Sequence, residues 1–139
     1  MFLLNLVYLF TNRFISFIGR QQMKSLAAIT PDDIDTIKIA LNDSISDINS
    51  ELKEKIGEKK RVELLDYRDK YSKVYNKLRQ NPSIYSLSQT ELDITAGGLN
   101  DAIQLIEEIL SEGELDDLDK EETLQVRNEC NRLVELLAD

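Results

Sequence analysis

The sequence predicts an all-α protein: a four-helix bundle-like domain made of two tandem, internally repeated helical hairpins, preceded by an apolar N-terminal segment. Three observations lead there. Apolar residues recur at spacings of three and four over long stretches, which is the period of a half-buried helix. Capping residues stand immediately before those stretches. A shift of 58 residues also lays 30–52 on 88–110 with seven of 23 positions identical.

Residues 1–22 hold the one long apolar run, MFLLNLVYLFTNRFISFIG. As a transmembrane span it is short and carries Arg13; as a secretory signal it has no positive charge ahead of the apolar region. As an amphipathic helix it gathers Leu3, Val7, Phe10, Phe14 and Phe17 on one face, suited to a membrane surface or a partner helix. Met23-Lys24 also resembles a translation start, because Gly19-Arg20 can be encoded by a purine-rich ribosome-binding run. Residues 1–22 are then a dispensable extension and 23–139 the single helical domain.

The first hairpin is expected over about 30–79. Thr30 is a good N-cap, Pro31 fits the first helical turn and Asp33 completes a capping box. Ile34, Ile37, Leu41, Ile45, Ile48, Leu52 and Ile56 form one stripe, which predicts a helix near 31–56 followed by another near 59–79, with the turn at Gly57. A rival arises because Ile34, Ile45, Ile56, Tyr67 and Leu78 recur every eleven residues, as in one continuous rod through Gly57.

The second hairpin is expected over about 88–138, with helices near 89–112 and 119–138. Ser88 and Glu91 make its first capping box, and Leu92, Leu99, Ile103, Ile106 and Leu110 continue the stripe. Gly97-Gly98 falls where the first copy has Ile39-Ala40, which places the glycines inside a helix; Tyr67, Tyr71 and Tyr75 are candidates to fill the space they leave. With the shift raised to 59, Glu63/Glu122, Leu65/Leu124 and Arg68/Arg127 match, and Tyr67/Val126 and Tyr71/Cys130 pair as apolar positions. Asp119 with Glu122 resembles a capping box for the last helix.

Composition narrows the chemistry. The chain has no histidine, which removes the commonest general base and metal ligand, and shows neither a glycine-rich phosphate loop nor a nucleophile elbow. No catalytic, cofactor-binding or metal-binding residue is nominated, and an enzyme is not expected. The lone Cys130 sits on an apolar helical stripe and reads as a small buried hydrophobe in a reducing compartment, the cytoplasm. The formal net charge is −9, unevenly spread: 53–79 carries ten Lys/Arg against five Asp/Glu, and 88–139 carries three against fifteen. Pairing between these two segments is the expected use of that asymmetry.

These features point to a small acidic interaction module, a regulator, inhibitor or immunity- or antitoxin-like protein of bacterial or phage origin, acting on a protein partner that a basic surface would suit. Homodimerisation is a further option. Two alternatives are carried. Gln89, Glu91, Leu92, Gly97, Ile103, Ile106 and Glu107 fit the spacing of a DNA-binding helix-turn-helix over 87–108, although 100–108 has three acids and no Lys or Arg, so nucleic acid is disfavoured. Membrane association would work only through residues 1–19. The Tyr67, Tyr71 and Tyr75 stripe, interleaved with Lys70, Lys73 and Lys77, invites base stacking but fits a core edge better. The acids at 107–108, 116–119 and 121–122 lack the order of a calcium loop and fit a solvated face.

The candidate partner-binding residues are Asn42, Asp43, Asn100 and Asp101. In each copy the preceding leucine lies on the buried stripe, and about 100° of turn per residue carries the aspartate to the far side of the helix. Both pairs are therefore expected on equivalent outward patches.

Overall fold

Thr30 opens the first long helix of the computed structural model, which describes residues 25–138; the readings of residues 1–22 and of Met23 lie outside the described residues. The Thr30 hydroxyl accepts from the Asp33 amide at 3.1 Å, and the Thr30 amide donates to the Asp33 carboxylate at 2.9 Å. Helix α1, Pro31–Leu52, follows from this capping box. It stops four residues short of the expected 56. Lys53 forms its cap, Lys53, Glu54 and Lys55 are exposed, and Ile56 reaches the edge of the core from the turn instead of from the helix.

Helix α2, Glu58–Gln80, starts after Gly57, so α1 and α2 are separate helices and the rod through Gly57 is not formed. Asn81-Pro82 ends α2, and a 3₁₀ turn over Ile84–Ser86 buries Ile84 and Leu87 on the way to the next cap. Helix α3, Gln89–Glu112, begins with the Ser88/Glu91 capping box and passes through Gly97-Gly98 without a break. Gly113 ends it in the left-handed conformation at φ 69°, which favours glycine. Helix α4, Asp117–Ala138, starts two residues before the expected 119. Its cap is Asp116, whose carboxylate accepts from the Asp119 amide at 2.8 Å, and Asp119 itself belongs to the first turn.

The chain is all-α with bundle-like packing. The most extensive contacts join α1 with α2 and α3 with α4; α1 and α3 come next, whereas α2 and α4 barely approach each other. The α1–α3 approach rests on small residues. Ala40 and Ser44 on α1, and Gly98 and Ala102 on α3, are all buried and are related by the same 58-residue shift. A Cβ on Gly98 would lie 2.6 Å from Leu41 Cδ2, and Ser44 Oγ donates to the Gly98 carbonyl at 3.0 Å. Glycine inside a helix costs about 1 kcal/mol relative to alanine, and here it admits Leu41 to the seam. Tyr71 lies near the same point, its Cε1 3.7 Å from the position of that Cβ, so one of the three candidate tyrosines shares the space with Leu41.

Charge pairing departs from the expectation. Of the ion pairs among the described residues, Lys77 with Glu91 at 2.7 Å is the one linking 53–79 to 88–139. Lys70 pairs with Asp66 and Lys73 with Asp69 inside α2, while Arg127 joins Glu107 on α3 and Arg132 joins both Glu129 and Asp33. Lysines one turn from an acid on their own helix satisfy their charge locally, with little ordering cost. The acidic half is therefore left largely uncompensated.

Candidate functional site

Ile39 and Asp43 on α1, Ile109 on α3 and Val126 on α4 line the same open groove, of about 760 Å³. Its floor is Ala40, Ala102, Leu105, Ile106 and Cys130, and its rim carries Asp43, Asp47, Glu122 and Glu129, with no Lys or Arg of the described residues lining it, although Arg132 reaches Glu129 from outside. Ile39, Ile109 and Val126 are 61%, 44% and 47% exposed, three of the seven large exposed hydrophobics among the described residues. Clustered exposed apolar residues within a polar rim mark an interaction surface, unlike the same residues scattered singly.

A second cleft, of about 670 Å³, lies between α1, α2 and α3. Asp43, Ser46, Asp47 and Ser50 line the first; Asp101, Gln104, Leu105 and Glu108, 58 positions on, line the second. Asp47 and Leu105 belong to both. The chemistry of the two differs. Tyr67 stands in the second cleft where the groove has Val126, and Lys59 and Lys60 add positive charge there. The Tyr71 hydroxyl donates to Asp101 at 2.6 Å, whereas the position paired with Tyr71 is Cys130, a weak donor at best.

The titration of these groups follows from that difference. Burial raises the pKa of Asp43; burial, then the charges of Glu108 and Glu54, raises that of Asp47. No ion pair to Asp43, Asp47 or Glu122 forms among the described residues. Burial raises the pKa of Asp101, while the Tyr71 hydrogen bond opposes the shift. The Cys130 thiol is pushed up to about 11 by burial and by the Glu129 and Asp43 charges, so it remains a thiol at neutral pH. It is buried, as the apolar stripe predicts.

The four sequence-derived partner residues separate. Asn42 and Asp43 are exposed, and Asp43 sits on the groove. Asn100 and Asp101 are half-buried, and the Asn100 Nδ2 has no hydrogen-bond partner among the described residues. The expectation of equivalent outward patches fails because Tyr71 of α2 covers and bonds Asp101, whereas the paired position beside Asp43 is Cys130 of α4, which leaves that carboxylate exposed. Sequence reasoning missed Ile39, Ile109 and Val126. The signal was present in Ile39, which lies off the Ile37/Leu41 stripe and is apolar without a core to explain it.

Two other readings meet the geometry here. The helix-turn-helix needs a turn at Gly97, where the backbone is helical. Tyr71 is fully buried with its hydroxyl bonded, and Tyr67 and Tyr75 are half-buried, so the three rings form no open stacking stripe. Lys70 lies over the Tyr67 ring at 5.7 Å. No helix of the described residues is long and apolar enough to cross a membrane. Comparison with protein-family models, curated proteins and solved structures found no match, so the groove is the guide to function.

Proposed function

We propose that the protein is a small, acidic, non-enzymatic regulator or adaptor of the cytoplasm, in the manner of bacterial or phage inhibitor, immunity and antitoxin proteins. It acts by binding a basic protein partner through the groove between α1, α3 and α4. The observation that carries this reading is the coincidence, in one concave surface, of exposed Ile39, Ile109 and Val126 with Asp43, Asp47 and Glu122, which have no ion pair among the described residues. Apolar contact supplies affinity once it is desolvated, and a single-sign rim supplies approach rate and selects partners of opposite charge.

The same reading takes 23–139 as one domain descended from a duplicated hairpin. Each copy uses its shared arginine alike: Arg68 donates to Asn49 at 2.9 Å and Arg127 to Glu107 at 3.2 Å, and Asn49 and Glu107 are 58 positions apart. In this history Tyr67 came to line one of two related clefts, and Val126 and Cys130 the other.

Native capture followed by mass spectrometry tests the reading, with Asp43→Ala and Asp47→Ala variants alongside the natural chain. Specific capture should fall steeply with added salt and weaken in both variants while their melting temperatures stay close to that of the natural chain. Capture that ignores salt and both substitutions would remove the acidic groove from the account.

A further inference from the structure

We infer that the occupant of the groove is an amphipathic α-helix of a partner protein, with an apolar i, i+3/i+4, i+7 stripe flanked by Lys or Arg. This rests on the interaction-module reading above and specifies its ligand. The α1 wall runs from Thr36 to Ser50, about 21 Å of helix, and so accommodates roughly four turns of a docked helix. The exposed apolar residues come from three helices, Ile39 on one wall, Val126 on the other and Ile109 between them, so an apolar stripe entering the groove meets side chains on both flanks. That is the geometry in which a helix buries its anchor residues, one or two per turn.

Charge then chooses among occupants. Asp43 and Asp47 stand on the α1 rim and Glu122 and Glu129 on the α4 rim, so the residues flanking the stripe of a docked helix face carboxylates on both sides. Arg132 engages Glu129 and Asp33, which leaves Asp43, Asp47 and Glu122 without an ion pair among the described residues. A second copy of this chain would bring the same acids and a net charge of −9 against them, and a phosphate backbone would be repelled outright. A cationic helix is attracted to the same carboxylates.

The test uses the full chain and three fluorescent 18-residue probe peptides, read by anisotropy. The first carries a leucine stripe with lysine flanks, the second the same stripe with glutamate flanks, and the third the lysines with a serine stripe. The first should bind, with the other two weaker by at least about tenfold, and an Ile39→Ser/Val126→Ser double variant should lose a comparable factor. Ile39 is 61% and Val126 47% exposed, and an unchanged melting curve confirms that the variant is folded. Failure of the first peptide to bind, equal binding of the serine-stripe peptide, or full binding by the double variant would each overturn the inference. So would a homodimer that Ile39→Ser dissociates, or cross-links from residues 1–22 that occupy the groove. If the double variant still captures a basic partner in a salt-sensitive way, the module reading stands and the helix-in-groove assignment alone falls.

Discussion

The Tyr71 hydroxyl donates to the Asp101 carboxylate across 2.6 Å, tying α2 to α3 at a point where the tyrosine is buried and the carboxylate half-buried. The bond fixes the orientation of a fully buried tyrosine and gives a half-buried carboxylate its donor. It also separates the two Asn-Asp pairs that look alike in sequence: Asp101 is held inside the bundle, and Asp43 is presented at its surface.

Tyr71→Phe should therefore cost about 1–3 kcal/mol at neutral pH, the typical penalty for leaving a buried polar group without its partner. The hydrogen bond lowers the pKa of Asp101 against the raising effect of burial, so its loss raises that pKa further. A group with a raised folded pKa regains stability as pH falls through it, and the penalty should shrink in acid. Urea unfolding of both proteins at neutral pH and near pH 4.5 measures this; an equal penalty at both would assign the loss to packing.

Asp101→Ala and Asp43→Ala should behave differently despite their matched positions. The first leaves the Tyr71 hydroxyl buried without an acceptor and should lower the melting temperature by several degrees. The second removes an exposed carboxylate and should shift it by no more than a degree or two. Differential scanning fluorimetry of the pair is sufficient.

Asp47→Asn should stabilise the fold at neutral pH while weakening partner capture. Burial and the charges of Glu108 and Glu54 raise the pKa of Asp47, so its ionised form costs stability that is recovered as pH falls through the folded value. The amide removes that cost, giving a rise of about 1–3 °C at pH 7 that vanishes once the natural carboxyl is protonated. Calorimetry at the two pH values decides it.

Gly98→Ala should lose about 1 kcal/mol, since overpacking of Leu41 outweighs the gain in helix propensity. In a Leu41→Ala background the clash disappears, and the same substitution should become stabilising by up to about 1 kcal/mol. A double-mutant cycle in urea gives the sign directly.

Arg132→Ala should lower the stability of the fold near neutrality and change it little in acid. Burial opposes the Asp33 charge, but hydrogen bonds from the Thr30 backbone and from Arg132 outweigh it and hold the pKa below 3.8. Such a group contributes stability above its unfolded pKa and loses it as pH falls through the lower folded value. The difference in melting temperature, about 2–4 °C near neutrality, should therefore fade below pH 4.

The helices were legible because each announces itself locally. Thr30-Pro31-x-Asp33 and Ser88-x-x-Glu91 satisfy the first amides of their own helices within four residues, and the leucine and isoleucine stripes need only the 3.6-residue period. The end of α1 and the start of α4 were less so. Several acidic residues near 116–119 can cap, and which one does depends on how the chain enters the bundle.

By itself, then, the sequence determined the helical class, the two hairpins, helix through Gly97-Gly98, a buried Cys130 and an excess of acid. Only the tertiary structure decided which acids stay free and which apolar residues stay exposed. Periodicity assigns each residue a side of its own helix, but whether that side meets water depends on which residues a neighbouring helix lays against it. Because α2 and α4 sit on different flanks of the α1–α3 seam, with tyrosines on the α2 side and Val126 and Cys130 on the α4 side, two similar sequence copies form two clefts of different chemistry, one lined by Tyr67, Lys59 and Lys60 and the other apolar with an acidic rim.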